Sequence, residues 1–91
     1  ELIPGTSNGA AEKHVPVVKV DSNRVRVRVG EVEHPMVDAH YIEWIAIETS
    51  KGVQRKKLKP EQAPKAEFML TDGESVEAVY AYCNLHGLWK A

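Results

Sequence analysis

The chain has 91 residues, a net charge of −1 and 43 % apolar residues. This length supports one small domain with a single hydrophobic core, and the apolar content is too high for a disordered chain. The charge gives no general attraction to nucleic acid, and no apolar run approaches the ~20 residues that span a bilayer, so we expect neither nucleic-acid nor membrane binding.

The first eleven residues are rich in turn-forming residues, namely Pro4, Gly5, Ser7, Asn8 and Gly9. We interpret residues 1–11 as a linker or lead-in and residues 12–91 as one domain. Because the chain begins with Glu1 rather than Met, we expect a processed protein or one with a preceding segment.

Two strands are predicted in the first part of the domain. Residues 14–20 are rich in valine and favour a strand, and Pro16 places that strand at a sheet edge or near its own start. Residues 24–29 alternate strictly between arginine and valine, so the valines face a core and the arginines face solvent or a partner. The turn at residues 21–23 joins the two strands into a hairpin.

A loop is predicted over residues 30–39, which contain Gly30 and Pro35, and more strands follow. These strands are predicted over residues 41–48, 53–58, 66–70 and 75–82. The glutamate and alanine content of the last segment also permits a helix, but its alternating pattern favours a strand. Six or seven short, regularly spaced strands predict an all-β fold, either an antiparallel sandwich or a small barrel.

One cysteine and four histidines are the candidate metal ligands, and all lie at predicted strand ends or in loops. Cys83 and His86 have the C-x-x-H spacing, which lets one tight turn present a thiolate and an imidazole to the same ion. The other candidates are His14, His34 and His40. Any one histidine is more often a hydrogen-bonded or solvated side chain, but the five residues together predict one mononuclear metal site.

The number and softness of these ligands indicate which metal would bind. Four imidazoles and one thiolate exceed the four ligands of a closed zinc site, and five ligands leave one octahedral position open, which suits iron at a reactive centre. A cupredoxin-like copper site would need an axial methionine, and no methionine follows His86. Three functions stay open on these grounds: an iron enzyme, a cupredoxin-like electron carrier and a structural metal-binding module.

Three motifs resemble one known family. They are EKHVPV at residues 12–17, HPM at 34–36 with HYIEWI at 40–45, and CNLHGLW at 83–89. In this order and spacing they resemble the superoxide reductase family, specifically the iron-binding catalytic domain of desulfoferrodoxin and neelaredoxin. The resemblance covers about residues 10–91. It implies an immunoglobulin-like antiparallel β-sandwich of about seven strands. It also implies that the protein reduces superoxide to hydrogen peroxide in oxidative-stress defence.

The resemblance also implies a role for each site residue. One mononuclear iron ion, changing between Fe2+ and Fe3+, would have Cys83 as its axial ligand and four equatorial ligands: His14, His34, His40 and His86. Lys13 would attract superoxide and hold a water that protonates the product. Glu12 would close the sixth position of the ferric ion. Apart from the resemblance, Lys13 and Glu12 would be interpreted as solvated side chains.

The partners implied by the resemblance are superoxide, a small electron-donor protein such as rubredoxin, and further copies of the chain in a homodimer or larger homo-oligomer. Arg24, Arg26 and Arg28 are a candidate docking face for an acidic donor, and a solvated strand face is the alternative. The single cysteine excludes an internal disulfide and fits a reducing, cytoplasmic location. Desulfoferrodoxin has an additional four-cysteine iron domain that this sequence lacks, so we expect a one-iron member or a chain without that domain.

Overall fold

The computed structural model describes residues 14–31 and 34–91, which form two antiparallel sheets. The strands, in chain order, are β1 (Pro16–Asp21), β2 (Arg24–Val29), β3 (Ile42–Thr49), β4 (Gly52–Lys57), β5 (Lys65–Met69), β6 (Val76–Cys83) and β7 (Gly87–Lys90). Within the described residues, no helix is long and apolar enough to cross a membrane.

The smaller sheet has the strand order β1-β2-β5. The alternation of β2 is realised as predicted, with Val25, Val27 and Val29 buried and the intervening arginines exposed. Pro16 is the first residue of β1, which lies at the sheet edge, where a missing N–H costs no ladder hydrogen bond. The predicted β1–β2 hairpin is confirmed.

The larger sheet has the strand order β4-β3-β6-β7. The lysine-rich strand β4 is at the edge, where its exposed charges oppose pairing with a further strand. Residues 76–83 form strand β6, so the helical alternative is wrong. Strand β7 falls in a segment for which no strand was predicted, and it pairs with β6 from Cys83↔Gly87 to Tyr80↔Lys90.

The two sheets face one another across a core of aliphatic side chains. Val25 and Val27 of β2 belong to the same buried cluster as Ile45 and Ile47 of β3 and Val79 of β6. A three-stranded sheet packed on a four-stranded sheet in this strand order is the arrangement of an immunoglobulin-like sandwich. The predicted fold is therefore confirmed.

A β-bulge interrupts β3 where it leaves the loop that contains two of the candidate ligands. The β3–β6 register shifts between Ile42 and Trp44. Ile42 and Ile45 are three residues apart, yet both are completely buried. Strict alternation would place them on opposite faces, so the extra residue of the bulge turns Ile42 back toward the core. Ile42 pairs with Cys83, and the bulge therefore fixes the strand end beside the candidate site.

Candidate metal centre

All five candidate ligands lie at the same end of the sandwich. His14 lies two residues before the start of β1, and His34 and His40 lie in the connection between β2 and β3. Cys83 ends β6, and His86 lies in the three-residue turn before β7. The antiparallel pairing brings the start of β1 beside the end of β2, and the start of β3 beside the end of β6. The fold therefore brings residues from the beginning, middle and end of the described chain to one end of the sandwich.

The Cys83–Gly87 turn shows how the C-x-x-H spacing works. Cys83 and Gly87 are paired residues of a hairpin whose loop is residues 84–86. Gly87 has a φ of 80°, and a left-handed glycine is the usual way to close a three-residue hairpin loop. The turn places the Cys83 Sγ 3.8 Å from the Nδ1 of His86. The thiol and the imidazole can therefore reach one ion.

The four imidazole rings form a closed cycle in the order His14, His34, His40, His86. The centroids of successive rings around this cycle are 4.6, 4.7, 4.9 and 4.7 Å apart. Neighbouring rings meet edge to face, with interplanar angles between 71° and 78°. His14 and His40, on opposite sides of the cycle, are 6.1 Å apart. The rings thus surround a central point, as four equatorial ligands surround a metal ion.

The spacing of the donor atoms matches the size of a metal site. One ligand atom from each of His14, His34, His40 and Cys83 lies within 4.8 Å of all the others. Metal–nitrogen bonds are about 2.0–2.1 Å long, so two nitrogens on opposite sides of one ion lie about 4 Å apart. The separations are therefore short enough for a single shared ion.

His34 shows that the site is organised for a ligand. Its Nδ1 lies 2.6 Å from the carbonyl oxygen of Pro35, and as donor in that bond it leaves the lone pair on Nε2. That Nε2 is buried and accepts no hydrogen bond from the described residues. A metal-bound histidine typically donates its other ring N–H to a backbone carbonyl, so the orphaned Nε2 fits a metal ion.

Burial lowers the pKa of His34 to about 4, because removal from water disfavours the imidazolium form. The hydrogen bond to Pro35 acts in the opposite direction, and the three neighbouring histidines lower the pKa further. The ring is consequently neutral at physiological pH. A neutral imidazole is the form that binds a metal ion.

Burial differs among the ligands. Cys83 is completely buried and His14 and His34 are 2 % exposed, whereas His86 is an exposed residue. Trp89 is buried and stacks on the His14 ring, with centroids 4.7 Å apart and an interplanar angle of 23°. Trp89 therefore covers one face of the His14 ring.

Asn84 links the loop that contains His40 to the end of β6, where Cys83 lies. Its Oδ1 accepts a hydrogen bond from the Tyr41 N–H at 2.9 Å, and its Nδ2 donates to the Ala39 carbonyl at 3.1 Å. The Asn84 N–H also donates to the Tyr41 carbonyl at 3.1 Å. The three hydrogen bonds therefore hold both neighbours of His40. Sequence reasoning gave Asn84 no role, although its place between two predicted ligands was a signal.

Met36 is a second residue whose role the sequence did not reveal. Its Sδ accepts a hydrogen bond from the Ile42 N–H at 3.3 Å, and its side chain packs on the core. This contact ties the segment after His34 to the bulged start of β3. Glu12 and Lys13, the two predicted catalytic residues, lie outside the described residues.

The donor set fits iron better than zinc or copper. Four imidazole rings and a thiol are more donors than a closed tetrahedral zinc site uses, and a copper site of the cupredoxin kind uses two histidines. Five donors suit an ion that prefers six ligands and keeps one position for a substrate.

Comparison with known proteins agrees with this chemistry. The sequence pattern of the family described as Desulfoferrodoxin matches residues 6–91. The desulfoferrodoxin of Nitratidesulfovibrio vulgaris is 52 % identical over 88 residues, which cover 96 % of this chain and 68 % of that protein. A desulfoferrodoxin homologue of Archaeoglobus fulgidus is 49 % identical over 87 residues, covering 94 % of this chain and 67 % of its own length.

A solved structure gives the same answer at the level of the fold. The crystal structure of the superoxide reductase from Treponema pallidum superposes with a TM-score of 0.92 at 46 % sequence identity. The superposition covers 99 % of this chain and 74 % of that one. The family match covers residues 6–91, and the relatives match over more than 90 % of the chain. The chain belongs to the desulfoferrodoxin family.

Proposed function

We propose that the protein is a superoxide reductase, which converts superoxide to hydrogen peroxide by adding one electron and two protons. The observation that carries the proposal is the closed cycle of four imidazoles beside the buried Cys83 thiol, in a chain that shares its fold with a superoxide reductase. A structural metal-binding module would not need a fifth donor, because four already close a tetrahedral site.

The five clustered residues would hold one iron ion. His14, His34, His40 and His86 would supply four imidazole ligands, and Cys83 would supply a thiolate ligand. Bound iron would supply the one-electron chemistry, and the Cys83 thiolate would donate electron density to it. The complete burial of Cys83 keeps bulk water from the sulfur, and its place in the core cluster holds the side chain in one position.

The two residues before His14 would handle the substrate. Lys13 would attract the superoxide anion electrostatically and hold a water that donates a proton to the product. The Glu12 carboxylate would supply a further oxygen ligand, which suits the hard ferric ion. The support for both roles is their position beside His14, whose ring is one side of the imidazole cycle.

Each turnover consumes one electron, so the protein needs a donor. We propose a small redox protein such as rubredoxin as this donor, and a homodimer or larger homo-oligomer as the assembly. Both parts of the proposal rest on family membership, and sedimentation of the purified protein tests the second.

The stoichiometry of peroxide formation tests the function directly. The iron-loaded protein is mixed with superoxide in the presence of excess reductant, and peroxide and oxygen are measured together. We expect one peroxide for each superoxide consumed and no oxygen. A dismutase would release one peroxide for every two superoxide ions together with oxygen, and that result would contradict the proposal.

A further inference from the structure

The outer face of the three-stranded sheet carries an unusual concentration of positive charge. It borders a groove of about 630 Å³ lined by five cationic side chains and one acidic one. We call this surface the basic groove, and its charged residues are Lys19, Arg26, Arg28, Lys56, Lys65 and Glu67. The chain as a whole has a net charge of −1, so the positive charge is a local feature.

Strand register places like charges directly opposite one another in the basic groove. Lys19 of β1 is paired with Arg26 of β2, and Arg28 of β2 is paired with Lys65 of β5. Like charges directly opposite on one face of a sheet are destabilising. The only acid in the groove, Glu67, is already shared by Arg24 and Arg26, each at 3.5 Å. In the described part of the chain, the other groove cations form no ion pair.

The basic groove also lies close to two backbone hydrogen bonds of the segment that contains the predicted ligand His34. Arg28 precedes Val29, whose carbonyl accepts the N–H of His34 at 3.3 Å. The loop between β4 and β5 forms another wall, and its Glu61 N–H donates to the Met36 carbonyl at 2.7 Å. Two groove residues, Arg28 and Gln62, are therefore direct chain neighbours of residues that hydrogen-bond to the His34–Met36 segment.

We propose that the basic groove docks a one-electron carrier protein through a face rich in aspartate and glutamate. This inference rests on the proposed function, because that reaction takes one electron from a partner in every turnover. The carrier loses one electron and the oxidised protein gains it, with no bond made or broken between them. Complementary charge would hold the carrier in the groove, next to the neighbours of the His34–Met36 segment, and raise the rate of encounter.

Two neighbouring lysines of β4 provide a matched pair of variants. Lys56 lines the basic groove, whereas Lys57, the next residue on the strand, does not. Lys65 gives a second groove variant, and Lys65→Glu places a carboxylate opposite Arg28, which favours folding. Lys56→Glu, Lys57→Glu and Lys65→Glu all make the same change in net charge.

The test uses reduced rubredoxin as the probe and the oxidised, iron-loaded protein as the acceptor. At low salt, Lys56→Glu and Lys65→Glu should each slow the electron transfer about tenfold, and Lys57→Glu should change it by no more than about twofold. The differences should disappear at high salt because exposed charges are screened. Binding of redox-inactive, zinc-substituted rubredoxin, measured by calorimetry, should weaken in the same order.

Several outcomes would overturn the docking inference. Equal rates and affinities for the three variants would overturn it. A groove variant that dissociates an oligomer would also overturn it, because the basic groove would then be an interface between copies of this chain. Binding of duplex DNA that both groove variants abolish, with unchanged rubredoxin rates, would assign the groove to nucleic acid.

A small uncharged reductant separates this inference from the proposed function. If the protein reduces superoxide with hydroquinone but the groove variants do not affect rubredoxin, only the docking inference fails. If superoxide is not reduced with either donor, the proposed function fails.

Discussion

Asn84 shows how a single side chain outside the metal ligands can set the geometry of a site. Its amide group hydrogen-bonds to both neighbours of His40, while the preceding residue in the chain is Cys83. The relative positions of the His40 imidazole and of the Cys83 thiol at the end of β6 therefore depend on one amide. Residues that orient metal ligands in this way typically contribute about 10–100-fold to metal affinity or activity.

Asn84→Ala should weaken iron binding about tenfold or more and destabilise the protein by about 1–3 kcal/mol, because the Tyr41 N–H loses its partner. Competition with an iron chelator and thermal unfolding measure the two effects. Asn84→Asp retains the acceptor and should lie between the alanine variant and the parent.

Asn23→Ala is a suitable control for Asn84→Ala, since Asn23 makes an exposed side-chain hydrogen bond at 3.4 Å with Asp72, away from the ligand cluster. We expect this variant to bind iron as the parent does. If Asn84→Ala also bound iron normally, Asn84 would have no part in positioning His40.

At the scale of elements, the strands were predictable where one face is buried and the other is not. The alternation in β2 predicted its buried and exposed residues correctly, and Pro16 indicated that β1 lies at a sheet edge. Strand β7 was missed because it has four residues and too few alternations to form a pattern. The bulge in β3 could not be predicted, since a bulge is defined by the pairing of two strands and not by either sequence.

The turn between β6 and β7 provides a prediction at this scale. Gly87 has a φ of 80°, and a Cβ there would meet no atom within 4 Å, so Gly87→Ala introduces backbone strain without a clash. The left-handed conformation should cost about 1–2 kcal/mol in stability. Because Gly87 follows His86 directly, relief of the strain should also displace that ring and lower iron affinity, as a chelator titration would show.

Gly73 is the matched control, with a φ of 81° and equally open space around a Cβ. Gly73→Ala should lose similar stability and keep its iron affinity, because the β5–β6 turn contains none of the proposed ligands. Equal iron affinities for the two alanine variants would show that the Gly87 turn does not position His86.

At the scale of the whole molecule, the sandwich holds together ligands that no short segment contains. The types and positions of the five residues predicted one shared metal site before the family resemblance was considered, and the structure brings them together. The cyclic order of the rings could not be predicted from the sequence. It depends on the tertiary structure, which places the His34 ring beside that of His14 and the His40 ring beside that of His86. The sequence predicted the basic groove only in part, because Arg26 and Arg28 were the groove residues named as a candidate docking face. Strand pairing adds Lys19 and Lys65 to them, and Lys56 comes from β4 of the other sheet.

The central claim is that four imidazoles and one thiolate bind a single iron ion, and the absorption spectrum combined with metal analysis tests it most directly. We predict one iron per chain and a visible thiolate-to-iron charge-transfer band in the oxidised protein, which disappears on reduction and is absent from Cys83→Ser. A protein that contains zinc and has no visible band, or a Cys83→Ser variant that keeps the band, would contradict the claim.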